Sequence, residues 1–203
     1  FTPHERILLI GEGDLSFATS LVQHHGCTSV TATVLEKNKE ELEEKYPHVS
    51  ENIGIFMAKD DASTYNIDAT KPLPNNLLHA GPFSTIMFNF PHVGGLSTDV
   101  NRQVRHNQSL LVSFFTSILN PSSAKYPALA PKGSIVITLF EAEPYTLWNV
   151  KDLARHAGLA VERSFKFQAE AYPGYKHART CGVIEGKGGA WKGEERKARS
   201  YVF

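Results

Sequence analysis

Three places in this 203-residue chain set residue types at spacings that could do chemistry. The first is R-I-L-L-I-G-E-G-D-L-S-F over residues 6–17, where an apolar run stops at Gly11 and Gly13. A backbone that must turn sharply and admit a ligand to van der Waals contact cannot carry a Cβ, and glycine removes it. The helix after such a turn aims its unpaired N–H groups and positive dipole end at whatever lies above it. The second is Glu36, 23 residues beyond Gly13. An acid at the tip of a second strand, about 20 residues past a glycine turn, can accept two hydrogen bonds from a ribose diol, although a lone Glu36 could equally be a surface charge. The third is N-F-P-H, Asn89 to His92, at the end of an apolar run. A polar Asn89 there is costly unless hydrogen-bonded, and in open α/β sheets ligands bind at the carboxyl ends of strands. Asp68 is a further candidate, either accepting from an adenine amino group or capping a turn.

The elements that must position these residues alternate along the chain. Residues 7–10 form a short buried strand, residues 15–25 a helix stopped by Gly26, and residues 29–36 a β-branched second strand ending on Glu36. A charged helix over 39–46 is interrupted by Pro47, apolar residues 53–57 resume helical structure, and residues 64–70 read as a short third strand delivering Asp68. Residues 83–90 are a fourth strand, Asp99 begins a long amphipathic helix to Leu119, and residues 133–140 are a fifth strand buried on both faces. A helix ending at Gly158, an alternating strand over 159–167, a Pro-Gly turn and a last strand over 176–184 complete the pattern. Five strand–helix alternations closed by a hairpin call for a three-layer α/β fold with a mainly parallel sheet and one antiparallel strand at the end. The expected organisation is one domain over residues 1–185 and a loosely held Gly-rich, basic tail over 186–203.

Composition excludes several classes. No run of about 18 apolar residues exists, so no transmembrane span and no membrane role are expected. Cys27 and Cys181 lie far apart with no C-x-x-C, and the nine histidines show neither H-x-x-H nor H-E-x-x-H spacing; reduced thiols and no metal are the expectation. Phe1 is an unlikely natural start, so the chain reads as trimmed, with any targeting segment removed. The formal charge is zero but uneven: from Arg163 onward nine Lys/Arg face four Glu, net +5, against twelve and seventeen before it, net −5. That basic end, with Lys192, Arg196, Lys197 and Arg199, is either a polyanion footprint or a solvated tail.

A glycine turn with a ribose acid fits two cofactor classes, dinucleotides and S-adenosylmethionine. The dinucleotide fingerprint wants a third glycine three residues after the second, where this chain has Ser16, which speaks against a nicotinamide oxidoreductase. G-E-G-D-L-S-F-A, the D-A-T after strand three, N-F-P-H-x-G-G, E-P-Y-x-x-W and Y-P-G-Y-x-H-x-R-T, in that order, resemble the Rossmann-like family of eukaryotic 25S ribosomal-RNA uridine-N3 methyltransferases. The resemblance runs from about Arg6 to Gly182, with Leu15 standing where many members have Phe. It implies a class I methyltransferase fold and S-adenosylmethionine-dependent methylation of N3 of one uridine in large-subunit ribosomal RNA, leaving S-adenosylhomocysteine. Ribosomal RNA or a preribosomal particle would be the partner, the nucleolus the location and a monomer the working form. The alternative is a noncatalytic RNA-binding assembly factor that keeps the fold. The same domain also occurs in related proteins fused to an anticodon-binding-like module.

Carried over residue by residue, the resemblance implies that Gly11, Glu12, Gly13 and Asp14 wrap the methionine part of the cofactor. Ser16 and Phe17 open the helix above it, Glu36 holds the ribose and Asp68 the adenine amine. Asn89, Phe90, Pro91 and His92 resemble the (Asp/Asn)-Pro-Pro-aromatic loop of enzymes that methylate nitrogen on planar bases, in which an oxygen orients the N–H and a ring stacks the base. Either Phe90 or His92 supplies that ring, and His92 is a base, a stacking group or a loop brace. Arg102, Arg105, Lys176, His177 and Arg179, with Tyr172 and Tyr175, are the candidate RNA contacts.

Overall fold

Each central strand carries two alternating sets of apolar side chains, and each set needs its own layer of helices. In β1 (Arg6–Leu9) Ile7 and Leu9 join one buried cluster while Leu8, with Ile10 just beyond, joins the other. The same alternation separates Met87 from Ile86 and Phe88 in β3 (Phe83–Asn89), and Val136 from Ile135 and Ile137 in β4 (Leu129–Phe140). The computed structural model describes residues 1–56, 65–95, 99–120, 126–180, 182 and 193–203. Within them α1 (Ser16–His24), α2 (Lys39–Lys45) and α3 (Ser50–Phe56) pack on one face through Phe17, Leu21, Leu42 and Ile53. On the other face α4 (Asn75–Ala80), α5 (Val100–Leu119) and α6 (Val150–His156) bury Leu77, Leu111, Phe114, Phe115 and Ala154. The result is the expected three-layer α/β sandwich. Among the described residues no helix is long and apolar enough to cross a membrane, and no group of three His, Cys, Asp or Glu could hold a metal ion.

The six-stranded sheet runs β2 (Ser29–Ala32), β1, β3, β4, β6 (Ala198–Val202), β5 (Arg163–Phe167). The first four are parallel; β6 is inserted antiparallel between β4 and β5. The chain leaves β1 toward β2 on one side and returns to β3 on the other. A crevice therefore opens outside the carboxyl ends of β1 and β3, at the topological switch point.

Three expectations are corrected. Of the strand expected over 64–70, Thr64 lies outside the described residues and Tyr65–Thr70 is irregular. It follows the end of β2 through Asn66 N–H to Glu36 O (2.8 Å) and Ile67 N–H to Val34 O (3.0 Å), but Asn66 is left-handed (φ 57°) and breaks the extension. The last strand is not 176–184. Residues 176–180 cross the crevice as an irregular strap, Cys181 and residues 183–184 lie outside the described part, and the closing strand is β6. Residues 198–202 are thus inside the sheet and not part of a loose tail. A-R-S-Y-V alternates, with Ala198, Ser200 and Val202 buried, so its pattern is that of a strand even though half of it is polar. Helix α4 is an addition that the loop-rich sequence before it concealed. Cys27 is buried as a free thiol.

Candidate functional site

The glycine turn follows β1 because Ile10 N–H still bonds Met87 O (2.8 Å) while Glu12 N–H crosses to Thr33 O (2.9 Å). Between them Gly11 is left-handed (φ 68°), and a Cβ there would sit 2.7 Å from the Phe88 ring. Only glycine meets both conditions without strain. Leu15, also left-handed (φ 62°), then starts α1.

The N–H groups of Ser16 and Ala18 in the first turn of α1 are already bonded, against the expectation that the start of this helix points its donors at a ligand. Ser16 N–H donates to Asp14 Oδ1 (3.1 Å) and Ala18 N–H to Glu12 Oε2 (3.2 Å). Asp14 is further fixed by His48 Nε2 at 2.9 Å from Oδ2, and its backbone oxygen by Asn52 Nδ2 (2.8 Å). Two buried carboxyl groups therefore occupy the positive end of the helix and take up two of its donors. Burial pushes the Glu12 carboxyl up to about 8; the Ala18 N–H opposes this only partly, and Asp14 reinforces it.

What lies over the turn is the chain itself. The Ser16 hydroxyl sits 2.7 Å from Asp14 Oδ1 and 3.1 Å from Lys176 O, sharing one proton between them, and accepts from Lys176 N–H (3.0 Å). Tyr46 Oη donates to Arg179 O (2.8 Å), and a Cβ on Gly13 would meet Ala178 Cβ at 2.8 Å. Gly13 is thus required by the close approach of the strap. Beside this contact remains a cavity of about 320 Å³ that Gly11, Glu12, Glu36, Asp68, Asn89 and His92 help to line. That volume falls within the usual range for small-molecule sites.

Glu36 is buried at the mouth of the cavity, with Lys45 Nζ 2.5 Å from its Oε1. Asp68 accepts from Thr70 N–H (2.9 Å) and Thr70 Oγ1 (2.7 Å) and faces Lys71. Burial pulls its carboxyl up, but these partners outweigh it and hold it below the usual range. Leu35 and Ile67 give this end apolar walls. A glycine turn, an acid at the β2 tip and apolar walls line one cavity and are a set that fits an S-adenosyl group, and the carboxyl groups at the turn suit a cation.

At the other end lies the loop after β3. Phe90 is left-handed (φ 51°), and its ring is enclosed by Phe140 (4.6 Å between centroids), His177 (4.5 Å) and Phe167 (5.5 Å). His92 packs near Trp148 (5.9 Å) and Tyr145 (6.3 Å), and its Nδ1 accepts the Gly94 N–H (2.9 Å). That acceptance puts the ring proton of the neutral form on Nε2, and burial lowers the pKa of the ring. His92 Nδ1 therefore braces the loop. His177 is held lower still, at about 4, first by burial and then by Arg196 and Arg179; its Nδ1 lies 3.0 Å from Tyr175 Oη. The loop is tied to α5 by Asn107 Oδ1, which accepts from Val93 N–H (3.0 Å), and by Gln103 Nε2 donating to Gly94 O.

The candidate RNA contacts divide. Arg102 and Arg105 are exposed near the start of α5, and Lys176 is exposed on the strap. Tyr172 stacks on Phe167 (5.4 Å, 12°) and touches Phe17 (4.6 Å), and Tyr175 meets Phe17 edge-on (5.7 Å). Both rings anchor the strap to the core and are not open platforms for a base. In the basic end Arg196 lies over the Phe140 ring (4.1 Å), Arg199 Nε pairs with Glu141 (2.6 Å), Lys197 is exposed and Lys192 lies outside the described residues. The sequence did not single out Lys45, His48, Gln103, Thr138 or Ser200. Their partners are 9 to 62 positions away, and no local spacing reports such contacts.

Comparison with known proteins adds an independent line. Residues 8–179 match the family model described as BMT5-like, rRNA (uridine-N3-)-methyltransferase. The chain is 31% identical over 249 aligned residues to the 25S rRNA (uridine(2634)-N(3))-methyltransferase of Saccharomyces cerevisiae, covering all of this chain and 73% of that protein. It is also 31% identical over 188 residues to a ferredoxin-fold anticodon-binding domain-containing protein 1 homolog of Mus musculus, covering 84% of this chain and 27% of the relative. Among solved structures an antibiotic-related methyltransferase is similar at 13% identity with a TM-score of 0.49, covering 99% of this chain and 88% of that one.

Proposed function

Because this chain belongs to the family of rRNA (uridine-N3-)-methyltransferases, we propose that its crevice holds S-adenosylmethionine and directs the methyl to N3 of an unpaired uridine of large-subunit ribosomal RNA, met in a preribosomal particle in the nucleolus. The observation that supports this reading best is the convergence on one cavity of Gly11, Glu36 and the Asn89–His92 loop, which come from three separate strand ends. In this assignment Glu36 accepts from the ribose diol, Leu35 and Ile67 sandwich the adenine with Asp68 at its amino edge, and Glu12 faces the charged methionine part.

When bound, the cofactor supplies an electrophilic methyl group on a sulfonium. The chain's own part is chiefly to position. The Asn89–His92 loop is braced by Asn107 and Gln103, and Phe90 is walled in by three rings, so the target base meets a prebuilt surface. Positioning of this kind can supply roughly 7–11 kcal/mol of the barrier. N3 lies on the Watson–Crick edge, so a paired uridine must first be unpaired or flipped out, at a cost of a few kcal/mol. Arg102, Arg105 and Lys176 are exposed, and in this reading they take up flanking phosphates.

The test is to incubate the protein with S-adenosylmethionine and large-subunit ribosomal RNA and to measure methylated nucleosides by mass spectrometry, with cofactor binding followed by calorimetry. Formation of 3-methyluridine that requires Glu36 and Asn89 supports the reading. Cofactor binding without any methylated nucleoside, on free RNA and on preribosomes alike, overturns it in favour of a noncatalytic RNA-binding role.

A further inference from the structure

Glu36 does not stand alone beyond the end of β2. Asn38 caps α2, its side chain accepting the Glu41 N–H (2.9 Å), and the helix brings Lys45 back to the acid nine positions before it. Lys45 Nζ lies 2.5 Å from Glu36 Oε1, the short contact of a charge-assisted bond, and the two side chains are 28% and 7% exposed. On the same helix Lys39 and Glu43 are 4.0 Å apart and more open to water, which is the ordinary surface kind of pair. The stem of Lys45 is held as well. Gly182 is left-handed (φ 71°) and so close that a Cβ on it would come within 2.9 Å of both Lys45 Cγ and the Lys45 backbone oxygen. Glu36 and Lys45 both line the cavity that Gly11 and Asp68 also line. An ionised carboxylate offers about four acceptor sites. Lys45 is the one side chain among the described residues that bonds the Glu36 carboxylate, so acceptor capacity is left over for a ligand.

We propose that Lys45 is a positioning residue for the cofactor: its ammonium pins Glu36 Oε1 and so sets the carboxylate to meet the two ribose hydroxyls of the S-adenosyl group. This rests on the methyltransferase reading above and adds to it a residue that acts through Glu36. The last torsion of a glutamate is broad and roughly two-fold, so an unpaired carboxylate swings. A ligand diol would then have to stop that motion as it binds. Lys45 stops it beforehand, and a group ordered in advance removes that ordering cost from binding. Lys45 also supplies the opposite charge that a carboxylate buried away from water requires. Ribose hydroxyls, being neutral, cannot do so. One of the four acceptor sites is used by Lys45, and a vicinal diol needs two of the three that remain. The benefit falls on ligands that carry the diol, whereas the adenine and methionine parts of the cofactor gain nothing from it.

Three variants test this: Lys45→Met, which keeps a stem against Gly182 and removes the charge, Glu36→Gln, and the two together. Each is titrated by calorimetry with S-adenosylhomocysteine and with its 2′,3′-dideoxy analogue, and its folding is followed by thermal melting. Lys45→Met should bind S-adenosylhomocysteine about tenfold or more weakly than wild type, the loss of about one hydrogen bond to a charged group. Its affinity for the dideoxy analogue should stay within about threefold of the wild-type value. In the Glu36→Gln background the same change should alter S-adenosylhomocysteine binding by less than about threefold, because Lys45 acts through the carboxylate. A merely structural defect would weaken both ligands alike and would add to the effect of Glu36→Gln. The double variant removes both charges of the pair, so it carries the test if Lys45→Met melts below the titration temperature. A Lys45→Met protein that binds S-adenosylhomocysteine as well as wild type or better, or that loses both ligands equally, overturns the proposal, as does full additivity in the double variant. Those results leave the methyltransferase reading intact. A wild-type protein that does not bind S-adenosylhomocysteine overturns both.

Discussion

Glu12 is fully buried between Gly11 and Gly13, and among the described residues no Lys, Arg or His pairs with it. It faces the Ala18 N–H, the carboxylate of Asp14 and the phenol of Tyr175, so two of its three neighbours are acidic. Burial raises its folded-state pKa from 4.5 to about 8. A carboxyl whose folded pKa is raised leaves the fold most stable below the unfolded value and weakens it as pH climbs toward the folded value. At about 1.4 kcal/mol per pH unit, the loss begins near pH 4.5, reaches about 3 kcal/mol at pH 7 and levels off above pH 8. Glu12→Gln keeps the shape and an oxygen for the Ala18 N–H but cannot ionise. The variant should therefore match wild type in thermal melting at pH 4.5 and gain on it steadily as pH rises. For a chain of this length about 2–4 °C per kcal/mol is expected, hence a gap of roughly 6–12 °C at pH 7. Melting of both proteins without cofactor across pH 4.5–8.5 measures it. Parallel curves at all pH values would refute the reasoning, because they would mean that Glu12 ionises as readily folded as unfolded.

Gly11→Ala should lower the melting temperature by roughly 4–20 °C, since a left-handed alanine costs about 1–2 kcal/mol and crowding of Phe88 about 1–3 more; a drop under 2 °C would contradict the turn geometry. Glu36→Ala should weaken cofactor binding about 10²-fold or more by calorimetry, because each hydrogen bond to a carboxylate contributes about 1.5–3 kcal/mol, and a change under threefold would remove Glu36 from the ribose. His92→Asn, whose amide oxygen can replace Nδ1 as acceptor for Gly94, should keep kcat within about tenfold of wild type, whereas loss of a general base would cost ~10²–10⁴. Since burial holds His92 below its ordinary pKa, kcat of the wild type should show no inflection near pH 6.5 that the variant lacks. ADP should bind at least tenfold more weakly than S-adenosylhomocysteine in competition calorimetry, and equal binding would contradict the charge assigned to the turn.

Where strand and helix are written in unbroken local runs, the sequence was legible. I-L-L-I, F-S-T-I-M-F and S-I-V-I-T-L-F are buried on both faces and lie where their composition says. The amphipathic stripe of α5 and its Asp99 cap were equally plain. Misreadings came where local signal and tertiary role part. Residues 198–202 hide a central strand behind Arg199 and Tyr201, the polar half of a period-two pattern. Residues 176–180 look extended, but Ser16 and Tyr46 take up the Lys176 and Arg179 backbone groups, which would otherwise enter a ladder. For the candidate site, the glycines, Glu36 and the Asn89 loop, singled out by spacing, line one cavity. The hydrogen bond between Thr138 and Ser200 could not be read in this way, because threonine and serine at alternate strand positions carry no signal until register brings them side by side.

The same distinction decides which cofactor class the glycine turn serves. Dinucleotide sites use the first N–H groups of the helix to hold a pyrophosphate, and the residues of the turn leave those donors open. Here the donors of Ser16 and Ala18 are already bonded to Asp14 and Glu12, and His48 and Asn52 hold Asp14 in place. An anion brought to this turn would meet one or two carboxylates instead of a positive helix end. A sulfonium and an ammonium would meet attraction, and would favour the ionised form of Glu12 that burial alone opposes. In the proposed S-adenosylmethionine site the missing third glycine is thus one half of the selectivity, and the acids beside the two that remain are the other.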